Sequence, residues 1–257
     1  MNFSSKRTQQ SGFTLTELMI VIVIIAVLAL IAIPISLNVR NKATAVTCGS
    51  NMKQIAALGH LFAGDHNGKL PRLHVRNTTA AQDGFGTDLS PDDRIVNNPN
   101  VHFWPDLLAA YGDIASICSC PKLKEPATTG MGGGFSTRYS LGIGINYGYT
   151  TLAPNDPNVS QWIRNTNVDD DARLVWFADA GSEATGPWEE RVDAPGEGGC
   201  FFRGQHADAK GVMPRHGGKL NVAFVDGHVE FVRPEQINWG AHGSGNGRIG
   251  YTIRESP

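Results

Sequence analysis

Residues Gly12-Phe-Thr-Leu-Thr-Glu-Leu-Met-Ile-Val-Ile-Val-Ile-Ile-Ala-Val-Leu-Ala-Leu-Ile-Ala-Ile-Pro34 decide how the rest of the chain is read. From Phe13 to Leu37 the only charged side chain is Glu17, and Lys6 and Arg7 stand just ahead of the run. Roughly 25 residues at about 1.5 Å each are enough to cross a bilayer core of about 30 Å. The run exceeds the h-region of about 7–15 residues in a secretory signal, and no Ala-x-Ala site follows it. A small residue, Gly12, precedes it instead. Glu17 sits about one turn inside the apolar helix. A carboxylate at that depth costs a few kcal/mol unless a cation meets it, so it reads as functional.

Gly-Phe-Thr-Leu-Thr-Glu followed by an apolar run resembles the class III leader of type IV prepilins and type II secretion pseudopilins. The resemblance implies cleavage by a prepilin peptidase between Gly12 and Phe13 and methylation of the new amine on Phe13. It also implies that Glu17 steers assembly by pairing with the methylated amine of a neighbouring subunit. The implied partners are that peptidase/methyltransferase, other pilin or pseudopilin subunits, and an inner-membrane assembly platform. The implied location is the bacterial inner membrane, crossed once with the N-terminus cytoplasmic and the C-terminal domain periplasmic, followed by a periplasmic or surface filament.

Residues 1–12 are then a leader to be removed, and 13–37 a transmembrane and filament-core helix. Pro34 is expected to kink that helix without ending it, because helix-forming sequence resumes at once. Ala45, Cys48, Met52, Ile55, Gly59 and Phe62 continue at alternating spacings of 3 and 4, the pattern of one buried helix face over 38–64. The two halves make one helix of about 50 residues, on the order of 75 Å. Gly64-Asp-His-Asn-Gly-Lys-Leu-Pro71 stops it, since Gly and Asn tolerate a left-handed cap and Pro71 blocks resumption. Asp65 and Asn67 resemble half a calcium loop, but the Gly and the distal Glu are misplaced.

Residues 65–257 read as an α+β body with loop-rich insertions. The 30 Gly and 14 Pro argue for many loops. A formal net charge of -2 gives no case for nucleic acid binding. Residues 72–100, 150–172 and 181–213 show no period and read as loops, and Gly130–Gly134 lacks the context of a phosphate loop. Trp104-Pro-Asp-Leu-Leu-Ala-Ala-Tyr111 reads as a short helix with Leu107, Leu108 and Tyr111 inward. Tyr139–Tyr147 and Leu174–Ala178 read as strands, with Asp179 at the end of the second. Lys219–Arg233 reads as a hairpin turning at Asp226-Gly227. A two-residue turn there would pair Phe224 with Val229 and Val222 with Phe231. Leu220, Val222, Phe224, Val229 and Phe231 would then share the apolar face that a helix covers.

His216, nine residues, then Asp226-Gly227 resembles the C-terminal signature of a large subgroup of prepilin-like proteins. Cys48-Gly-Ser-Asn-Met-Lys-Gln-Ile, Asp65-His-Asn-Gly-Lys-Leu-Pro and Cys120-Pro resemble the same subgroup. That likeness implies a pilin-like fold, a long N-terminal helix packed on a small antiparallel sheet, and no assigned chemistry.

The candidates for chemistry are Asp179, His206, Asp208, His216, Asp226 and His228, whose mixed donors could hold a divalent metal. Some pseudopilins hold calcium in the C-terminal sheet region, so the resemblance implies Ca2+ through oxygens near Asp179 or Asp226. The blander readings are a turn residue for Asp226, a cap for His216 and a strand-edge polar residue for His228. Four cysteines, Cys48, Cys118, Cys120 and Cys200, permit disulfides in an exported body. Cys118 and Cys120 are too close in sequence to bridge without strain, so a bond from one of them to Cys48 or Cys200 is expected. The Cys-x-Cys pair alone is weak evidence for zinc. No nucleophile or metalloprotease motif is present. The expectation is a non-enzymatic filament subunit, closer to a secretion pseudopilin than to a pilus subunit. The rivals are a tip-located subunit that recruits substrate, and a membrane-tethered periplasmic metal- or carbohydrate-binding or enzymatic module borrowing the leader.

Overall fold

The computed structural model describes residues 13–71, 73–76, 101–123, 127–130, 135–146, 172, 174–181, 199, 201–202 and 211–237. The side chains of 32–38, 40, 74–76, 101–102, 127–130, 135–140 and 201 fall outside that description. The fold class is α+β: a long N-terminal helix, then short helices and strands. The chain divides into two units, Met1–Lys42 and Ala43–Pro257, with the boundary inside the first helix.

Helix α1 (Leu15–Asp65) starts on a reciprocal cap. Thr14 N–H and Oγ1 donate to Glu17 Oε2 at 2.8 and 2.7 Å, and Glu17 N–H donates back to Thr14 Oγ1 at 3.3 Å. Thr14-Leu-Thr-Glu17 is therefore a capping box. The helix continues through Pro34, so that proline does not end it; the expected kink lies among side chains outside the description. It stops as the composition requires. Asn67 and Gly68 take φ of 56° and 75°, and Gly68 N–H returns to Ala63 O at 2.7 Å.

Among the described residues no helix is long and apolar enough to cross a membrane. The first apolar run of α1 has described side chains as far as Ile31; those of residues 32–37, Ala-Ile-Pro-Ile-Ser-Leu, which continue it in the sequence, lie outside the description.

Within the unit Ala43–Pro257, the predicted stripe Ala45, Cys48, Met52, Ile55, Gly59 and Phe62 is buried at every position. The sheet beneath it has the order β7-β5-β6-β8-β9. Strands β5 (Ile143–Asn146), β6 (Val175–Asp179), β8 (Leu220–Phe224) and β9 (Val229–Val232) are antiparallel. The two-residue β7 (Phe201–Phe202) joins β5 in parallel. Two smaller pairs stand apart: β1 (His74–Arg76) with β2 (Val101–Phe103), and β3 (Ala127–Gly130) with β4 (Phe135–Leu141). Strands β1 and β7 fall where loops were expected.

Helix α2 (Trp104–Leu108) follows the short helix prediction, with Trp104, Leu107 and Leu108 buried and Asp106 Oδ2 accepting from Phe103 N–H. Helix α3 (Ile114–Ile117) leads into Cys118, whose carbonyl accepts from Gly142 and Ile143 N–H.

The C-terminal hairpin forms, but one residue out of the expected register. Leu220 pairs with Val232, Asn221 with Phe231, Val222 with Glu230 and Ala223 with Val229. Phe224 N–H bonds His228 O at 3.0 Å, which draws Val225 into a three-residue loop. Gly227 sits at φ 90°, and Asp226 Oδ1 accepts from His228 N–H at 3.0 Å. This is a turn closed by a left-handed glycine bulge, so Asp226-Gly227 signals a three-residue loop here.

The one-residue slip exchanges faces. Phe231 joins Asn221 and Val229 and stays 44% exposed at the sheet edge. The helix lies on this face, not the one expected. A Cβ on Gly49 would come within 2.9 Å of Asn221 Oδ1 and 3.8 Å of Val229 Cγ1. Asn221 Nδ2 donates to Ala45 O at 3.2 Å, which satisfies the buried amide. Further along α1, Gly59 gives way to the Trp176 ring: a Cβ there would lie 2.4 Å from Cη2. Two small residues on the helix, Gly49 and Gly59, set how closely the two layers approach.

Candidate functional site

Two places in the chain concentrate unusual chemistry. The first is the start of α1. Phe13 is 83% exposed, and fourteen large apolar side chains from Phe13 to Ile31 are each at least 45% exposed. Glu17, expected to wait for a cation, already accepts two hydrogen bonds from Thr14. The Thr-x-x-Glu signature was legible in the sequence and gives Glu17 a local structural role beside any intermolecular one. Gly12 lies outside the described residues.

The second is a buried polar cluster. Cys48 Sγ, Cys120 Sγ, one carboxylate oxygen of Asp179 and a ring nitrogen of His216 all lie within 4.8 Å of one another. Each comes from a different element. Cys48 is on the buried stripe of α1, Cys120 follows α3, Asp179 ends β6, and His216 stands in the turn before β8.

The Cys48 thiol donates to Asp179 Oδ1 at 3.0 Å. His216 Nε2 is 3.5 Å from Cys120 Sγ and 3.5 Å from Asp179 Oδ2. Asp179 Oδ2 also accepts Asn221 N–H at 2.8 Å. His216 is fixed through its backbone N–H to Lys219 O at 3.0 Å, and its Nδ1 is buried with no hydrogen-bond partner among the described residues. Beside the cluster, the buried Arg215 guanidinium donates to Gly142 O at 2.9 Å and to Ala180 O.

These groups shift one another strongly. The two neighbouring sulfurs split their titration, Cys48 lowering Cys120 and Cys120 raising Cys48, with burial and Asp179 pushing Cys48 further up. The Asp179 carboxyl is raised to about 6 by burial and then by the Cys120 thiolate, against the pull of His216 and Arg215. Burial opposes charge on His216, but Cys120 and Asp179 outweigh it and its pKa rises. Cys118 stands apart, its thiol pushed up to about 12 by burial.

The cluster divides the candidate metal residues. Asp179 and His216 belong to it. Asp226 and His228 do not: they form their own half-exposed pair at the hairpin tip, 2.5 Å apart, with Glu230 Oε1 3.7 Å from His228 Nε2. The His228 ring stacks on Phe224 at 4.2 Å between centroids. The reason is the hairpin loop, which carries Asp226 and His228 to the end of β8 and leaves His216 at its start.

The donor set also differs from the calcium expectation, since two thiols and an imidazole are poor calcium ligands. Among the described residues Cys48, Cys118 and Cys120 stand as free thiols; Cys200, the other expected disulfide partner, lies outside the described residues, as do His206 and Asp208. The contribution of Cys48 and Cys120 was missed because Cys48 fits the core stripe and Cys120 lacks a second Cys-x-Cys. The available signal was that Cys48, Cys120-Pro and His216 all fell within one subgroup likeness.

No curated protein and no solved structure matches the chain significantly. The family model for the prokaryotic N-terminal methylation motif matches residues 7–33, which span the basic segment, Gly12, Phe13, Glu17 and the apolar run. The chain carries a class III, prepilin-type leader.

Proposed function

We propose that the chain is a structural subunit of a type II secretion or type IV pilus-like filament, made as a precursor, held in the inner membrane and assembled through its N-terminal helix. The observation that carries this reading is the methylation motif at 7–33 on a helix whose large apolar side chains from Phe13 to Ile31 are each at least 45% exposed among the described residues. A helix apolar on all sides belongs in lipid or inside a bundle. Covering the half-exposed side chains from Phe13 to Ile31 is worth on the order of 10–20 kcal/mol at the usual value per buried apolar side chain. Lipid supplies that cover before assembly and sister helices supply it afterwards. The sequence from Phe13 to Leu37 has the length this requires.

In this reading a prepilin peptidase removes residues 1–12 and the amine of Phe13 is methylated. Glu17 then selects register, because a misplaced subunit would leave a charge unpaired in low dielectric. The pilin-like arrangement of a helix on a small antiparallel sheet suits such a subunit, and the short loop ending α1 and the C-terminal hairpin favour a secretion pseudopilin.

Glu17→Ala and Glu17→Gln separate the two roles of the carboxylate. Gln can still close the capping box but carries no charge. Both variants are expected to insert in the membrane and to fall out of the sheared filament fraction. If Gln assembles as well as the native chain on immunoblots, charge pairing is not what Glu17 provides.

A further inference from the structure

The geometry points to a closed, tetrahedral transition-metal site of the zinc type, with Cys48 Sγ, Cys120 Sγ, one oxygen of Asp179 and His216 Nε2 as its four ligands. It is independent of filament assembly. A tetrahedral zinc at about 2.0–2.3 Å from N, O and S ligands requires those ligands to stand about 3.3–3.8 Å apart. His216 Nε2 is 3.5 Å from Cys120 Sγ and 3.5 Å from Asp179 Oδ2, Cys48 Sγ is 3.0 Å from the other carboxylate oxygen, Oδ1, and the four donors all lie within 4.8 Å of one another. The four donors face one another before any ion is considered, so binding needs only small side-chain adjustments.

Charge supplies the second argument. All four residues are buried, as is Arg215. Two thiolates and a carboxylate carry three negative charges; a divalent cation and the Arg215 guanidinium carry three positive ones. The core is then neutral, whereas the same groups alone would impose a large desolvation cost. A disulfide between Cys48 and Cys120 would account for two of the donors and leave the buried Asp179 and His216 facing it unexplained.

The donor chemistry sets the class. Thiolates with imidazole select zinc-like metals over calcium or magnesium. Four protein ligands leave no open position, so the site is structural. It joins α1 to the end of β6 and to the turn before β8, closing long stretches of chain. Asn221 N–H orients the Asp179 carboxylate from behind the ligand shell. On binding, the metal displaces the thiol protons to solvent.

The test uses the full chain, untagged, extracted in detergent without chelator. Elemental analysis is expected to give about one zinc per chain, as one closed site would. Replacement with Co2+ is expected to give a tetrahedral d–d spectrum with sulfur-to-cobalt charge-transfer bands, a measurement that needs no variant to fold. Cys120→Ser and His216→Gln are expected to lose the metal, and Asp226→Asn with His228→Ala to keep it. A wild-type chain that takes up neither Zn2+ nor Co2+ would overturn the site. So would a Cys48–Cys120 disulfide in the peptide map, or metal that survives Cys120→Ser.

Discussion

The two halves of α1 use similar residues to opposite ends. From Phe13 to Ile31 nearly every side chain is apolar, and all the large ones are at least 45% exposed. From Ala45 to Ala63 the buried positions Ala45, Cys48, Met52, Ile55, Gly59 and Phe62 recur every third or fourth residue, while Val46 and Leu61 between them stay exposed. The second half has a partner inside the chain, and its periodicity records that partner's single face. The first half has no such periodicity, the pattern of a helix meant to be covered on every side. Hydrophobicity alone therefore does not say whether a helix is core; the pattern of interruption does.

Substitutions should split along the same line. The largest effect is expected from Gly12→Leu, which leaves both halves intact and blocks release of the first. No mass shift should appear when a prepilin peptidase is coexpressed, and the body should unfold at the native temperature.

Next comes the contact that seals the second half. Gly59→Ala gains about 1 kcal/mol of helix propensity. The new Cβ meets Trp176 Cη2 at 2.4 Å, and overpacking typically costs 1–3 kcal/mol and more at such a distance. A lower Tm is expected. Gly64→Ala, where a Cβ meets nothing within 4 Å, should instead raise stability by up to about 1 kcal/mol. Opposite signs in urea melts would confirm that Trp176, not glycine flexibility, fixes residue 59.

Asn221→Ala should cost about 1–1.5 kcal/mol by removing the hydrogen bond from its amide to Ala45 O, which keeps its helical donor. The smallest effect is Gly227→Ala, about 1 kcal/mol for a left-handed φ of 90°, confined to the hairpin tip in hydrogen exchange.

Much of this was legible from the residues. The leader follows from the resemblance of Gly12-Phe-Thr-Leu-Thr-Glu17 to the prepilin motif, and the buried stripe of α1, the cap at Asn67-Gly68, the α2 segment and strands β6, β8 and β9 from local periodicity and turn chemistry. The hairpin register was not, because Asp226-Gly227 serves two-residue and three-residue turns alike, and only the pairing of Phe224 with His228 decides. The polar cluster was half legible. Asp179 and His216 stood out as donors, but Cys48 was explained by its stripe. Its meeting with Cys120, Asp179 and His216 is set by tertiary packing across residues 48 to 216, which no local pattern encodes.

The central claim is that the exposed half of α1 is released from its leader to pack among sister helices. Intact mass of the chain recovered from the sheared filament fraction tests it most directly. The account predicts a polypeptide beginning at Phe13 and carrying one methyl group on its amine. A chain that retains residues 1–12 and stays wholly in the membrane fraction would contradict it.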